Sequence, residues 1–394
     1  MMLALIFSVS GCAGVNVSYS GGSATLREAV VSPSGLGEDA IFGCCLNRKS
    51  IRDAKLFELA ASNFNAITLE NELKCETMLD GNNNRPAEGS IHEEDLDGDT
   101  ISVPTLDHTQ ADEMLDAILE WNRAHPDKSL KVRGHVLVWH SQTPEWIFRT
   151  DYDPDKDYVS KDEMNRRLEW YIRSVLQYYT GEESRYRDLF YAWDVVNEAV
   201  SDRTGGYRTE KSSWWNIYQS EEYIINAFRF ANKYAPDELE LYYNDYNECD
   251  KKKQKGIITL IQDVKAAEGT RIDGFGMQGH YSVNAPTSET IESAAREYAK
   301  VTDRIMLTEL DVKHSMFYNG TDEGLEKEYI RQAKYYKNIY DVMKKLHAEG
   351  VNVDGISLWG VSDRYTWLSG QHPLLFDKDL KPKPAFDAFI DKEE

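Results

Sequence analysis

The chain has 394 residues, of which 41% are hydrophobic and 11% aromatic, enough for one large core and too apolar for global disorder. Its 67 Asp and Glu against 45 Lys and Arg leave a net charge of −22. That balance argues against nucleic acid or an anionic membrane surface as a partner, since both are bound through clustered basic residues.

Met1 to Cys12 is a short apolar run followed by small residues, too short to span a bilayer and similar to the core of a signal peptide. Val9-Ser10-Gly11-Cys12 also resembles a bacterial lipoprotein cleavage box with Cys12 as the lipidated residue. A secreted or cell-surface location is expected, with a lipid on Cys12 as the one membrane attachment. Residues 13–37 are rich in Ser and Gly and read as a tether, with a short helix over 24–31; the folded domain is expected to fill 38–394. The five cysteines are Cys12, Cys44, Cys45, Cys75 and Cys249, without the Cys and His spacing of a zinc site. Cys44, Cys45 and Cys75 fall near the ends of adjacent predicted strands, where buried free thiols are expected over a disulfide.

From residue 40 onward, short apolar β-branched runs alternate with stretches of helical spacing. Strands are predicted at 40–46, 66–70, 131–139, 191–197, 240–244, 274–278, 304–309 and 355–359. Helices are predicted at 51–64, 111–125, 162–179, 220–234, 252–268, 288–301, 326–349 and, shorter, 384–390. Eight strands each followed by a helical segment is the pattern of an α/β (β/α)8 TIM barrel in a single domain. Residues 79–104, rich in Asn, Asp, Gly and Glu, form a long loop insertion after the second strand. As a βα loop it is expected to border the cleft of the barrel.

Such barrels keep their chemistry at the carboxyl ends of the strands, and polar and aromatic residues gather there. The second strand runs into Glu70-Asn71-Glu72-Leu73-Lys74, and the third into His135, Trp139, His140 and Gln142. Strand alternation separates His135 and Trp139 from His140 and leaves open which histidine belongs to the core. The fourth strand ends in Asn197-Glu198, the fifth in Asn244 to Asn247, the sixth in Gln278-Gly279-His280. The seventh ends in Glu309-Leu310-Asp311, and the eighth in Trp359, with Trp367 just beyond. Two carboxylates at the ends of separate strands, Glu198 and Glu309, are what a glycosidase needs, and an aromatic load of 9 Trp and 23 Tyr suits stacking on sugar rings.

With these motifs in order at the strand ends, the chain from about Ala40 onward resembles glycoside hydrolase family 10, whose best-known members are retaining endo-β-1,4-xylanases. The resemblance implies Glu198 as general acid/base and Glu309 as nucleophile, with His280 held between Glu309 and Asp311 to orient the nucleophile. It implies contacts to the sugar at the cleaved bond from Asn197, Gln278, Lys74, His135 and Trp139, so that His135 is the ligand and His140 stands behind the site. Glu70 and Asn71 would serve the next subsite with Gln142 close by. Trp359 and Trp367 would form an aromatic wall, and Tyr246 would help on the leaving-group side. An ionised Glu309 close to Glu198 would raise the pKa of that acid.

No metal or organic cofactor is implied, and the partner is xylan or xylo-oligosaccharides, bound by a monomer. The alternatives are a retaining β-1,4-glucanase on the same barrel and a non-catalytic xylan-binding surface lipoprotein. Cys75 stands where the family often has proline, and the 79–104 insertion is longer than usual; both bear on the distal subsites.

Overall fold

Eight strands pair in parallel and close on themselves in this computed structural model, which describes residues 25–79, 85–316, 318 and 320–390. They are β1 (Ile41–Leu46), β2 (Ala66–Leu69), β3 (Lys131–Trp139), β4 (Phe190–Asn197), β5 (Glu240–Asp245), β6 (Gly274–Met277), β7 (Arg304–Lys313) and β8 (Val353–Leu358). Closure comes from β8, which pairs with β7 on one side and β1 on the other. The helices α1 (Ala54–Asn63), α2 (Thr109–Ala124), α3 (Lys161–Thr180), α4 (Glu222–Tyr234), α5 (Lys251–Ala266), α6 (Ser288–Tyr298) and α7 (Asp322–Ala348) follow the first seven strands. A 3-10 turn at Pro384–Phe389 stands in the eighth helical place. The (β/α)8 barrel read from the sequence is therefore the fold.

The strands read as unbroken apolar runs because both of their faces are covered. Every residue of β1, β2 and β6 is buried, by helices outside and by the opposite strands inside. At the base, inward residues Ile41, Ala66, Ala192, Tyr242 and Met306 make a small apolar plug. Above it lies the buried pair Arg133–Asp194, with Nη2 to Oδ1 at 2.5 Å and the guanidinium stacked over Tyr242 at 4.2 Å. Removing one partner of such a pair costs about 3–5 kcal/mol, because the other charge is left buried alone. Asp194 also takes Nδ1 of His135 at 2.9 Å, so this base orients the first residue of the site.

Two expectations are corrected. The short helix expected over 24–31 is present at Leu26–Val30 with Thr25 as its cap, but residues 25–37 as a whole are not a free tether, since Leu26, Val30 and Leu36 are buried against the barrel. Ser and Gly are frequent over 13–37 as a whole, but the apolar residues of 25–37 face the barrel, and the amide of Leu26 donates to Asn63 of α1 at 3.3 Å. Residues 1–24, which include the expected export segment, lie outside the described residues.

The 79–104 insertion is expected to border the cleft, but its described hairpin, 91–104, packs on the helical layer instead. Ile91–Leu96 and Asp99–Pro104 form an antiparallel hairpin turned by Asp97 and Gly98, both at positive φ (56° and 93°) as a two-residue Asp-Gly turn requires. Leu96, Ile101, Val103 and Pro104 are its buried residues. Polar contacts tie it to the helical layer: Trp170 and Arg173 of α3 each reach Glu94 at 3.2 Å, and Lys233 of α4 pairs with Asp97. Among the described residues, none of this hairpin lines the cleft.

Candidate active site

The carboxyl ends of the strands open on a cavity of about 500 Å³. Its walls include every sugar-contact residue expected from the sequence, Glu70, Asn71, Lys74, His135, Trp139, Gln142, Asn197, Tyr246, Gln278, Trp359 and Trp367, together with Glu198, Glu309 and His280. Asp311 is the one predicted site residue outside the lining. It sits behind His280, accepting from Nδ1 at 3.0 Å, and also receives the indole N–H of Trp367 at 2.8 Å.

Glu198 follows β4 directly and takes a left-handed backbone, φ 57°, which a side chain with a Cβ rarely adopts. The neighbouring chain fixes it. Its own amide donates to the Asn244 carbonyl at 2.9 Å, its carbonyl accepts from Nε of Arg208 at 2.7 Å, and the next amide, of Ala199, donates to the Tyr243 hydroxyl at 3.0 Å. The turn swings the carboxyl into the cleft, where Trp139 Nε1 donates to Oε2 at 2.9 Å and Gln278 Nε2 to Oε1 at 3.1 Å. Burial pushes this carboxyl above the usual glutamate range, the buried charge of Asp245 adds to that, and Glu309 adds a smaller push. The rise expected from Glu309 is present, but desolvation and Asp245 are the larger causes.

Glu309 is treated in the opposite way. Asn244 Nδ2 donates to Oε1 at 2.7 Å, and Nε2 of His280 meets Oε2 at 3.1 Å. Burial alone would raise its pKa, but the hydrogen bond from His280 and other favourable charge outweigh it and hold Glu309 below the usual range. His280 loses some basicity to burial but gains far more from Asp311 and Glu309, and its pKa stands at about 10. His280 is thus favoured as an imidazolium beside Glu309, which is biased towards its carboxylate, while Glu198 is biased towards its acid form.

Asn244 was not singled out from the sequence, yet it joins the two halves of the site. Its Nδ2 donates to Asn197 Oδ1 at 3.0 Å as well as to Glu309, while its Oδ1 accepts from Thr308 Oγ1 at 2.6 Å, which fixes the amide's orientation. Its place at the end of β5 was the one available signal. The neighbouring Gly276 makes room for it, since a Cβ there would lie 2.3 Å from Asn244 Oδ1 and 2.8 Å from Thr308 Cγ2.

Around this centre, Lys74 Nζ donates to Asn71 at 3.0 Å and to Gln142 at 2.9 Å, and Asn47 Nδ2 donates to Glu70 at 2.7 Å, so the second-strand cluster forms one wall of ordered polar groups. Glu72 of the same motif points away and accepts the amides of Arg48 and Asn71, a loop-holding role. Trp359 is nearly buried and meets His135 and His280 edge-on, at 5.4 and 6.3 Å, whereas Trp367 is 55% exposed at the mouth. His135 lines the cavity; His140 is behind it, with Nδ1 4.0 Å from Glu198 Oε2 and its pKa lowered to about 4 by burial and by Arg208 and Lys253. Tyr246 gives its hydroxyl proton to Asp202, itself paired with buried Lys253 at 2.7 Å. Cys44, Cys45, Cys75 and Cys249 are free thiols, and among the described residues no group of three His, Cys, Asp or Glu is placed to hold a metal.

The family model of glycosyl hydrolase family 10 matches residues 35–392. Endo-1,4-beta-xylanase B of Paenibacillus barcinonensis is 31% identical over 346 residues, 85% of this chain and 91% of that protein. The bifunctional endo-1,4-beta-xylanase XylA of Ruminococcus flavefaciens is 34% identical over 82% of this chain, which spans 30% of that longer protein. Among solved structures, a psychrophilic family 10 endo-beta-1,4-xylanase superposes with a TM-score of 0.73 at 30% identity, covering 93% of this chain and all of that one. A barrel of the right closure, two glutamates at the expected strand ends and a family match over nearly the whole length agree: the chain belongs to glycosyl hydrolase family 10.

Proposed function

We propose that the protein hydrolyses internal β-1,4 bonds of xylan with retention of configuration. The observation that carries this reading is two glutamates in one cleft with opposite settings, Glu198 held by Trp139 and Gln278 where burial raises its pKa, and Glu309 held by Asn244 and His280, which lower its own. Glu309 attacks the anomeric carbon while Glu198 gives its proton to the departing oxygen. The covalent glycosyl-enzyme consumes the charge of Glu309. Glu198, now ionised, takes a proton from the water that releases the sugar and regenerates both groups. Retaining enzymes hold such a pair about 5–5.5 Å apart, so that two inversions restore the starting configuration. Asn197 and Gln278, joined through the Asn197 oxygen at 3.2 Å, present amides to the sugar between the glutamates.

Relatives named endo-1,4-beta-xylanase support xylan over a glucan, as does a neighbouring structure described as a mutant in complex with xylotriose. Trp359, edge-on to both His135 and His280, closes one wall of the cleft. Export with lipidation at Cys12 is part of the same reading, supported by the Met1–Cys12 pattern; labelled palmitate that is incorporated by the natural chain and not by Cys12→Ser tests it.

The deciding experiment follows products by NMR on xylan and on cellulose. Rapid release of internal fragments from xylan, with the β-anomer appearing first, is the expected result. Faster cleavage of cellulose, or first appearance of the α-anomer, would overturn it.

A further inference from the structure

One cation in the cleft has no part in the catalytic scheme. Lys313 is the last residue of β7, and its exposed side chain lines the cavity that holds Glu198 and Glu309. Its backbone is fixed: it lies in register with Ser282, and its carbonyl accepts the amide of Val283 at 3.1 Å.

The other cations around the cleft are committed. Lys74 donates to Asn71 and Gln142. Lys253 lies between Asp202 and Asp245, at 2.7 and 2.9 Å. Arg208 donates to the carbonyls of Glu198 and Val200, and His280 bridges Glu309 and Asp311. The Lys313 ammonium makes no hydrogen bond or ion pair with any described residue. In a chain carrying 67 acidic side chains and a net charge of −22, that is an open anion-binding position at the mouth of the active site.

We propose that Lys313 is a specificity residue for acidic branches, pairing with the carboxylate of a uronic-acid substituent on a main-chain xylose held in the cleft. This rests on the xylan reading above. The main chain is neutral and offers a cation only hydroxyl oxygens, so a charge at this place discriminates only if the ligand carries one. A substituent on a chain lying in the cleft must leave towards solvent, and that is where a flexible four-carbon stem delivers its ammonium. The acidic surface elsewhere repels a polyanionic polymer only weakly, because salt screens charges beyond about 10 Å at 0.1 M. A contact-range pair can therefore decide whether an acidic branch is favoured.

The test compares kcat/KM of the natural enzyme and Lys313→Met on glucuronoxylan, on the same polymer with its carboxyls reduced to alcohols, and on linear xylo-oligosaccharides. The natural enzyme is expected to favour the charged polymer over the reduced one by about 3- to 5-fold, the scale of an exposed ion pair. Lys313→Met should abolish that ratio and leave the linear substrates unchanged, and Lys313→Arg should keep it. Salt near about 0.5 M should compress the natural ratio towards one. A ratio that survives in Lys313→Met, or that is absent in the natural enzyme, overturns the proposal. Failure to cleave the linear oligosaccharides at all would instead overturn the xylan reading.

Discussion

The indole of Trp139 donates to Oε2 of Glu198 at 2.9 Å, from the end of β3 to the residue just beyond β4. The bond favours the ionised carboxylate, so it opposes the burial that raises the pKa of Glu198.

Trp139→Phe should therefore move the alkaline limb of the kcat/KM profile up, by about one pH unit for loss of a hydrogen bond to a charged group. The acid limb, which reports ionisation of Glu309, should stay in place. A pH series on a soluble xylo-oligosaccharide reads both limbs, and an unchanged alkaline limb would show that this bond does not set the pKa.

His280→Gln should move the acid limb up, since burial of Glu309 would then be less opposed, and activity at mildly acidic pH should fall about 10- to 100-fold. Stability should change as well. His280 is raised from its ordinary 6.5 to about 10, so its contribution is fully present below pH 6.5 and is lost as pH rises through 10. Thermal melts across that window should decline less steeply in His280→Gln than in the natural protein.

Glu198→Ala should lose about 10²- to 10⁴-fold on xylan, where the leaving oxygen needs a proton. On an aryl xylobioside with a nitrophenolate leaving group, formation of the glycosyl-enzyme should remain fast, giving a burst followed by slow release. Glu309→Ala should lose turnover on both substrates while keeping the natural melting temperature within a few degrees. A burst from that variant would contradict its role.

Gly276→Ala should damage activity more than stability. The added methyl would press on the Asn244 amide that donates to Glu309. A fall of about 10-fold or more in kcat, with a folded spectrum, is expected for a misplaced nucleophile. Unchanged kinetics would mean that Asn244 does not position Glu309.

Leu26→Ala should cost about 2–4 kcal/mol in a denaturant titration, because Leu26 is fully buried against the barrel. A tether residue in its place would cost nothing measurable.

The sequence was enough to determine the strand order and the location of the chemistry. A parallel strand covered on both faces must be an apolar run, and such a run ending in a carboxylate stands out even without a partner in view, as Val195-Val196-Asn197-Glu198 and Met306-Leu307-Thr308-Glu309 do. His135 and His140 could not be separated that way, because alternation assigns faces but not which face meets Asp194 and which lies behind Glu198. Asn244, Thr308 and Asp245 gained their roles only when the barrel closed, since their partners are tens of residues away and become neighbours through strand register alone. Composition gave the short helix within 24–31 but not the packing of the segment around it, and it set the 79–104 insertion at the cleft, where its 91–104 hairpin is not found, because an average over Ser, Gly and Asp conceals the few apolar side chains that decide where a segment packs. Burial and the closeness of charges, which tell Glu198 from Glu309, belong to the folded chain and are not carried by any single stretch of it.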